Sequence, residues 1–70
     1  MRLSINGEQR ESAAANVFDL WKEFVDGLDI DEPRGFAIAL NGGVVRKPKW
    51  TETRLSPGDR VEIVRPMQGG

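Results

Sequence analysis

The chain has 70 residues and a net charge of −1, and it contains neither Cys nor His. A domain of this size buries only roughly 60% of the surface its unfolded chain exposes, so its core is thin. The missing residue types exclude disulfides, the usual zinc sites and the common nucleophile–base pairs.

Stability therefore has to come from packing two Trp, three Phe and the branched aliphatics. No apolar run approaches the length of a membrane span and no signal-peptide pattern opens the chain, so a cytoplasmic location is expected. Residues 1–32 carry three basic and eight acidic side chains, whereas residues 46–65 carry six basic and three acidic ones. These read as two solvated faces, and the near-zero net charge supplies no field for nucleic acid or membrane. There is no phosphate-cradling glycine loop. A binding module or a cosubstrate is expected rather than an independent enzyme.

Arg2-Leu3-Ser4-Ile5 alternates polar and apolar, as a half-buried strand does. Asn6-Gly7 supplies the two positive-φ positions of a type I′ hairpin turn. The return strand, Glu8 to Ser12, is polar and suits a sheet edge. Asn16 is a helix N-cap, with Asp19 three positions on to favour the helix N-terminus. Val17, Leu20, Trp21, Phe24 and Leu28 fall on one face of the helical wheel, with Phe18 and Val25 at its margin. Gly27 is expected to close the helix in the left-handed region.

Asp29, Asp31 and Glu32 cluster in the next connection but lack the glycine and glutamate positions of a calcium loop. They read as a solvated loop. Phe36 to Leu40 is apolar throughout, which fits a strand covered on both faces or one whose open face meets a partner. Asn41-Gly42-Gly43 signals a second hairpin, returning through Val44-Val45. Pro48, among Arg46, Lys47 and Lys49, bars a central strand there and leaves a solvated basic loop. Trp50 is expected to lie on the sheet over a loop-rich corner, before a short extended piece at residues 53–55. Ser56-Pro57-Gly58-Asp59 is a turn. In the last strand, Arg60 to Arg65, Val61 and Ile63 point one way and Glu62 and Val64 the other. Pro66 cannot donate to a ladder and is expected to end the pairing.

Strand, strand, helix, strand, strand, strand implies an α+β domain. One amphipathic helix covers one face of a mixed four- to five-stranded sheet whose first and last strands are central neighbours. That topology is the β-grasp, or ubiquitin-like, fold. The expected organisation is a β-grasp domain over residues 1–66 and a flexible Gly-Gly tail over residues 67–70. At ordinary glycine usage a chance terminal Gly-Gly has a frequency of roughly 0.5%, so the pair draws notice without settling anything. Its sterically open carboxylate can thread a narrow channel in a partner.

The stretch Ala37-Ile38-Ala39-Leu40-Asn41-Gly42-Gly43-Val44-Val45 is followed by Trp50, Thr53, Leu55 and Gly58-Asp59-Arg60-Val61-Glu62-Ile63-Val64. With the opening Leu3 to Glu8 and the final Gly69-Gly70, it resembles the ThiS sulfur carriers of thiamine biosynthesis over nearly the whole chain. Lys47-Pro48-Lys49 and Met67-Gln68 depart from the family's usual residues there.

The resemblance implies a carrier that is not itself an enzyme. An adenylating, E1-like enzyme would use ATP to activate the Gly70 carboxylate, and sulfur from a donor such as a cysteine desulfurase would replace AMP. The resulting thiocarboxylate would pass its sulfur to thiazole synthase. Gly70 is then the attachment site, and Gly69, Gln68 and Met67 form the tail. The chain itself would bind no cofactor or metal, and a monomer suits serial docking on different enzymes. By fold analogy, an apolar patch beside the tail would meet the partners. Val64, Met67, and Leu55 or one of the Phe36–Leu40 side chains would form it, with Arg60 and Arg65 at its rim. Other readings of the same tail are the small subunit of molybdopterin synthase, another pathway's sulfur carrier, a protein modifier, or a non-covalent module with an incidental Gly-Gly end.

Overall fold

The computed structural model describes residues 1–65. Within them β1 (Arg2–Ile5), β2 (Glu8–Glu11), β3 (Ala37–Leu40), β4 (Gly43–Val45) and β5 (Arg60–Val64) form one sheet, and α1 (Val17–Phe24) is the α-helix. The strand order is β2-β1-β5-β3-β4. β1 and β5 run parallel at the centre, and the other neighbours are antiparallel. This is the expected β-grasp arrangement.

Both hairpins turn as their Asn-Gly pairs require. Asn6 and Gly7 take φ of 52° and 84°, and Asn41 and Gly42 take 51° and 90°. Such φ values suit an Asn followed by a Gly in a type I′ turn, whose twist matches the strands it joins. β2 is exposed along its length, as a polar edge strand can be.

The helix starts where Asn16 caps it, its side chain accepting from the Asp19 amide at 2.8 Å. Its acidic face is tied back to the end of the first hairpin. The Ser12 hydroxyl donates to Glu23 Oε1 at 2.7 Å, and the Ala13 amide donates to Glu23 Oε2 at 3.1 Å. The helix ends at Phe24, earlier than the apolar spacing suggests. The chain then leaves through a turn in which Gly27 has φ 84°. Two expectations change as a result. Leu28, no longer on a helical face, is 44% exposed, while Val25, assigned to the margin, is buried.

The core lies between α1 and one face of the sheet. Leu3, Ile5, Ile38, Val61 and Ile63 come from the strands, and Val17, Leu20 and Trp21 from the helix. Full burial of each such aliphatic contributes about 1.5–3 kcal/mol. Trp50 closes the corner, fully buried, with its indole Nε1 donating to the Val45 carbonyl at 2.8 Å. Its ring lies 6.2 Å from that of Trp21, and Trp21 meets Phe36 edge-on at 5.6 Å. The basic stretch before Trp50 winds into a short 3-10 turn, Lys47–Lys49. Among the described residues, no helix is long and apolar enough to cross a membrane.

Candidate functional site

The strand that precedes the Gly-Gly tail is also the most enclosed strand of the sheet. β5 sits between β1 and β3, pairing Ser4 and Ile5 with Arg60 and Val61 on one side. On the other it pairs Ala37, Ile38, Ala39 and Leu40 with Val64, Ile63, Glu62 and Val61. Its alternation holds throughout: Val61 and Ile63 are buried, and Arg60, Glu62 and Val64 are exposed. The start of the strand is fixed by the preceding turn. The Asp59 amide donates to the Ser56 carbonyl, and Asp59 Oδ2 accepts from the Ser56 amide.

The helix covers only one face of the sheet, so the other is open among the described residues. There Val64, 60% exposed, pairs with Ala37, and Ala39 pairs with Val44, 79% exposed. Directly opposed residues on antiparallel strands have Cβ atoms about 4.5–5.5 Å apart. Val64, Ala37, Ala39 and Val44 therefore make one apolar strip running from the last strand to the β4 edge. The apolar run in β3 is explained by this strip: Ile38 faces the helix, while Ala37 and Ala39 face outward. At the β4 end a groove of about 340 Å³ opens between Ala37, Val44, Arg46, Lys47 and Pro48. Arg60 and Glu62 share this face of β5 with Val64, and the exposed Arg65 follows the strand.

The expected site residues divide accordingly. Val64, Arg60 and Arg65 are exposed on or beside β5. Leu55 is not part of the patch. It is 7% exposed and belongs to the core, because the segment around it is tied to the start of the helix. The Val17 amide donates to Thr53 O, and the Leu55 amide donates to Ala15 O at 3.1 Å. Met67, Gln68, Gly69 and Gly70 lie outside the described residues, as does Pro66 with its expected role as a strand terminator. Val44 was missed from the sequence, where it reads only as part of a return strand; its partnership with Ala39 depends on hairpin register. Among the described residues, no group of three or more Asp and Glu is placed to hold a metal ion.

The ThiS family model matches residues 3–70. The chain belongs to the ThiS family. The match takes in part of β1, all of the other four strands and the final Gly69-Gly70. This ThiS family chain is similar to the crystal structure of thiamine biosynthesis protein ThiS from Geobacter metallireducens. The TM-score is 0.75 at 27% identity, with all of each chain covered. It is likewise similar to the solution structure of a thiamine biosynthesis protein from the same organism. There the TM-score is 0.70 at 29% identity, covering all of this chain and 88% of that one. No curated protein matches the chain.

Proposed function

We propose that this ThiS family chain is a sulfur carrier that supplies the thiazole sulfur of thiamine from its Gly70 carboxyl group. The observation that carries the reading is the family match, which runs from the first strand through Gly69-Gly70. The thiamine biosynthesis proteins of like fold support the pathway.

The residues present agree with the chemistry that the family resemblance implies. A carboxylate is a poor electrophile, because attack on it must expel an oxide-like group. In the partner's active site a Gly70 carboxylate oxygen attacks the α-phosphorus of ATP and pyrophosphate leaves. The acyl adenylate then offers AMP as a good leaving group. The terminal sulfur of a donor persulfide attacks the acyl carbon and AMP leaves; a thiol of the partner then attacks the other sulfur, forming a disulfide and leaving the chain end as a thiocarboxylate. The chain has no Cys of its own to hold sulfur, so the carboxyl terminus is the available handle. Side-chain-free glycines at 69 and 70 allow that handle into a narrow channel. ATP belongs to the adenylating partner, the chain acts as its cosubstrate, and a thiazole synthase accepts the sulfur.

The strip of Val64, Ala37, Ala39 and Val44, with Arg60 and Glu62 on the same face of β5, is the surface on which partners dock. It begins on the strand that carries the tail. An apolar centre with a charged rim is the ordinary build of a protein interface.

Intact-mass measurement tests the reading. With its adenylating enzyme, ATP and a sulfur donor, the chain should gain the mass of one sulfur less one oxygen, located at Gly70. Deletion of Gly70 should abolish the gain and leave the unfolding midpoint unchanged. A truncated chain that still accepted sulfur would refute the assignment.

A further inference from the structure

The parallel β1–β5 ladder is shorter than β5 itself. Ser4 N donates to Asp59 O at 3.0 Å and Asn6 N donates to Val61 O at 2.9 Å. A regular parallel ladder would next place the Ile63 amide on the Asn6 carbonyl and then donate back to Ile63 O from two residues further along β1. The backbone cannot provide this, because Asn6 turns into the hairpin at φ 52°. The Asn6 side chain does so instead. Ile63 N donates to Asn6 Oδ1 at 2.8 Å, and Asn6 Nδ2 donates to Ile63 O at 3.3 Å. The carboxamide thus acts as one more peptide group of β1. The opposite hairpin grips the start of the same strand, where Asn41 Oδ1 accepts from Arg60 N at 2.9 Å.

We propose that Asn6 is a positioning residue for the activation of Gly70: its carboxamide fixes the far half of β5 and so sets where the tail begins. The inference rests on the sulfur-carrier reading. Asn6 touches Ile63, seven positions before Gly70, and acts through the strand rather than on the reacting carboxyl. Without it, the tail side of β5 would keep its rungs to β3 alone. A strand end held on one side has more states to lose when a partner engages the tail, so the cost falls on binding. A donor and an acceptor are both required, which only a carboxamide supplies among the side chains that readily take this φ.

Asn6→Gly separates the clamp from the turn, since glycine holds the same φ without a side chain. Asn6→Asp keeps the acceptor and loses the donor. In the glycine variant, exchange of the Ile63 amide should speed up by about tenfold while that of Leu20 in the helix does not change beyond any shift in global stability. With the adenylating enzyme and ATP, the carrier concentration giving half-maximal rate should rise by about five- to tenfold and the saturated rate should stay as in the parent. Asn6→Asp should fall between the two. Val25→Ala, a core change at the C-cap of the helix, supplies a variant of lowered stability that leaves the Asn6–Ile63 hydrogen bonds in place, and half-saturation should stay at the parent value. An Ile63 amide that stays protected in Asn6→Gly, or a Val25→Ala variant that raises half-saturation equally, would overturn the proposal. If the parent chain were adenylated normally and Asn6→Gly matched it, only the role of Asn6 would fall. A parent chain that is never adenylated would remove the sulfur-carrier reading and the positioning role with it, whatever the exchange data showed.

Discussion

Two tryptophans share the core, and their indole nitrogens are treated differently. Trp50 donates from Nε1 to Val45 O, joining the corner after the 3-10 turn to the β4 edge. Trp21 is as deeply buried, yet its Nε1 has no acceptor among the described residues. It is packed among the rings of Phe18, Phe36 and Trp50. Replacing each by Phe removes similar area but different polar chemistry. Trp50→Phe leaves the Val45 carbonyl without its partner, whereas Trp21→Phe removes a buried donor that gains little. Denaturant unfolding should show Trp50→Phe to be more destabilising, by about 1–2 kcal/mol relative to Trp21→Phe. That Trp21 is core follows from its helical spacing, and Trp50 reads as a lid over the corner. Which of them has a hydrogen-bond partner does not follow, because Val45 reaches Trp50 only through the intervening turn.

The helix is an element whose start is more legible than its end. Asn16 is the expected cap and accepts from the Asp19 amide as expected. Asn16→Ala should destabilise the domain by about 1 kcal/mol. The same residue makes an isolated bridge to Arg54, which no local pattern announces. At the other end, apolar spacing through Leu28 implies a further turn of helix, and the chain declines it. Gly27 in the left-handed region turns the backbone away and leaves Leu28 in solvent. Open space surrounds the position of a Cβ at Gly27. Gly27→Ala should therefore cost only the conformational penalty of that φ, about 1–2 kcal/mol, measured as a shift in unfolding midpoint. The hairpins behave differently from the helix end. An Asn-Gly pair dictates its own turn geometry, so strand boundaries there follow directly from the residues.

At the scale of the fold, a single helix on a five-stranded sheet leaves one sheet face without cover among the described residues. Most of that face is polar, with Arg2, Ser4, Arg60 and Glu62 along β1 and β5. The apolar strip of Val64, Ala37, Ala39 and Val44 is the exception, and it starts on the strand that leads to the tail. Val64→Asp places a charge in the strip without entering the core. The unfolding midpoint should stay close to that of the parent, and the carrier concentration needed for half-maximal adenylation should rise by roughly tenfold, the ordinary effect of losing a central interface contact. An equal effect from Leu55→Asp would have to come from unfolding, since Leu55 lies inside. Circular dichroism separates the two cases.

The linear order of residues determined a good deal. Period-two alternation in β1 and β5, two Asn-Gly turns and one capped amphipathic helix are local signals, and together they specify the β-grasp order of elements. The Gly-Gly end and the absence of Cys and His are likewise plain in the chain, and the family resemblance rests on residues that can be read one by one. Tertiary structure decided what depends on partners distant in sequence. Leu55 is core because Ala15 and Thr53 tie its segment to the helix, not because of anything beside it. Val44 joins the apolar strip only through register with Ala39. Asn6 reads as a turn residue and nothing more until Ile63, far along the chain, is placed against its carboxamide. Turn geometry is set by the residues in the turn, whereas a hydrogen bond across the sheet exists only once the central strand has found its neighbours.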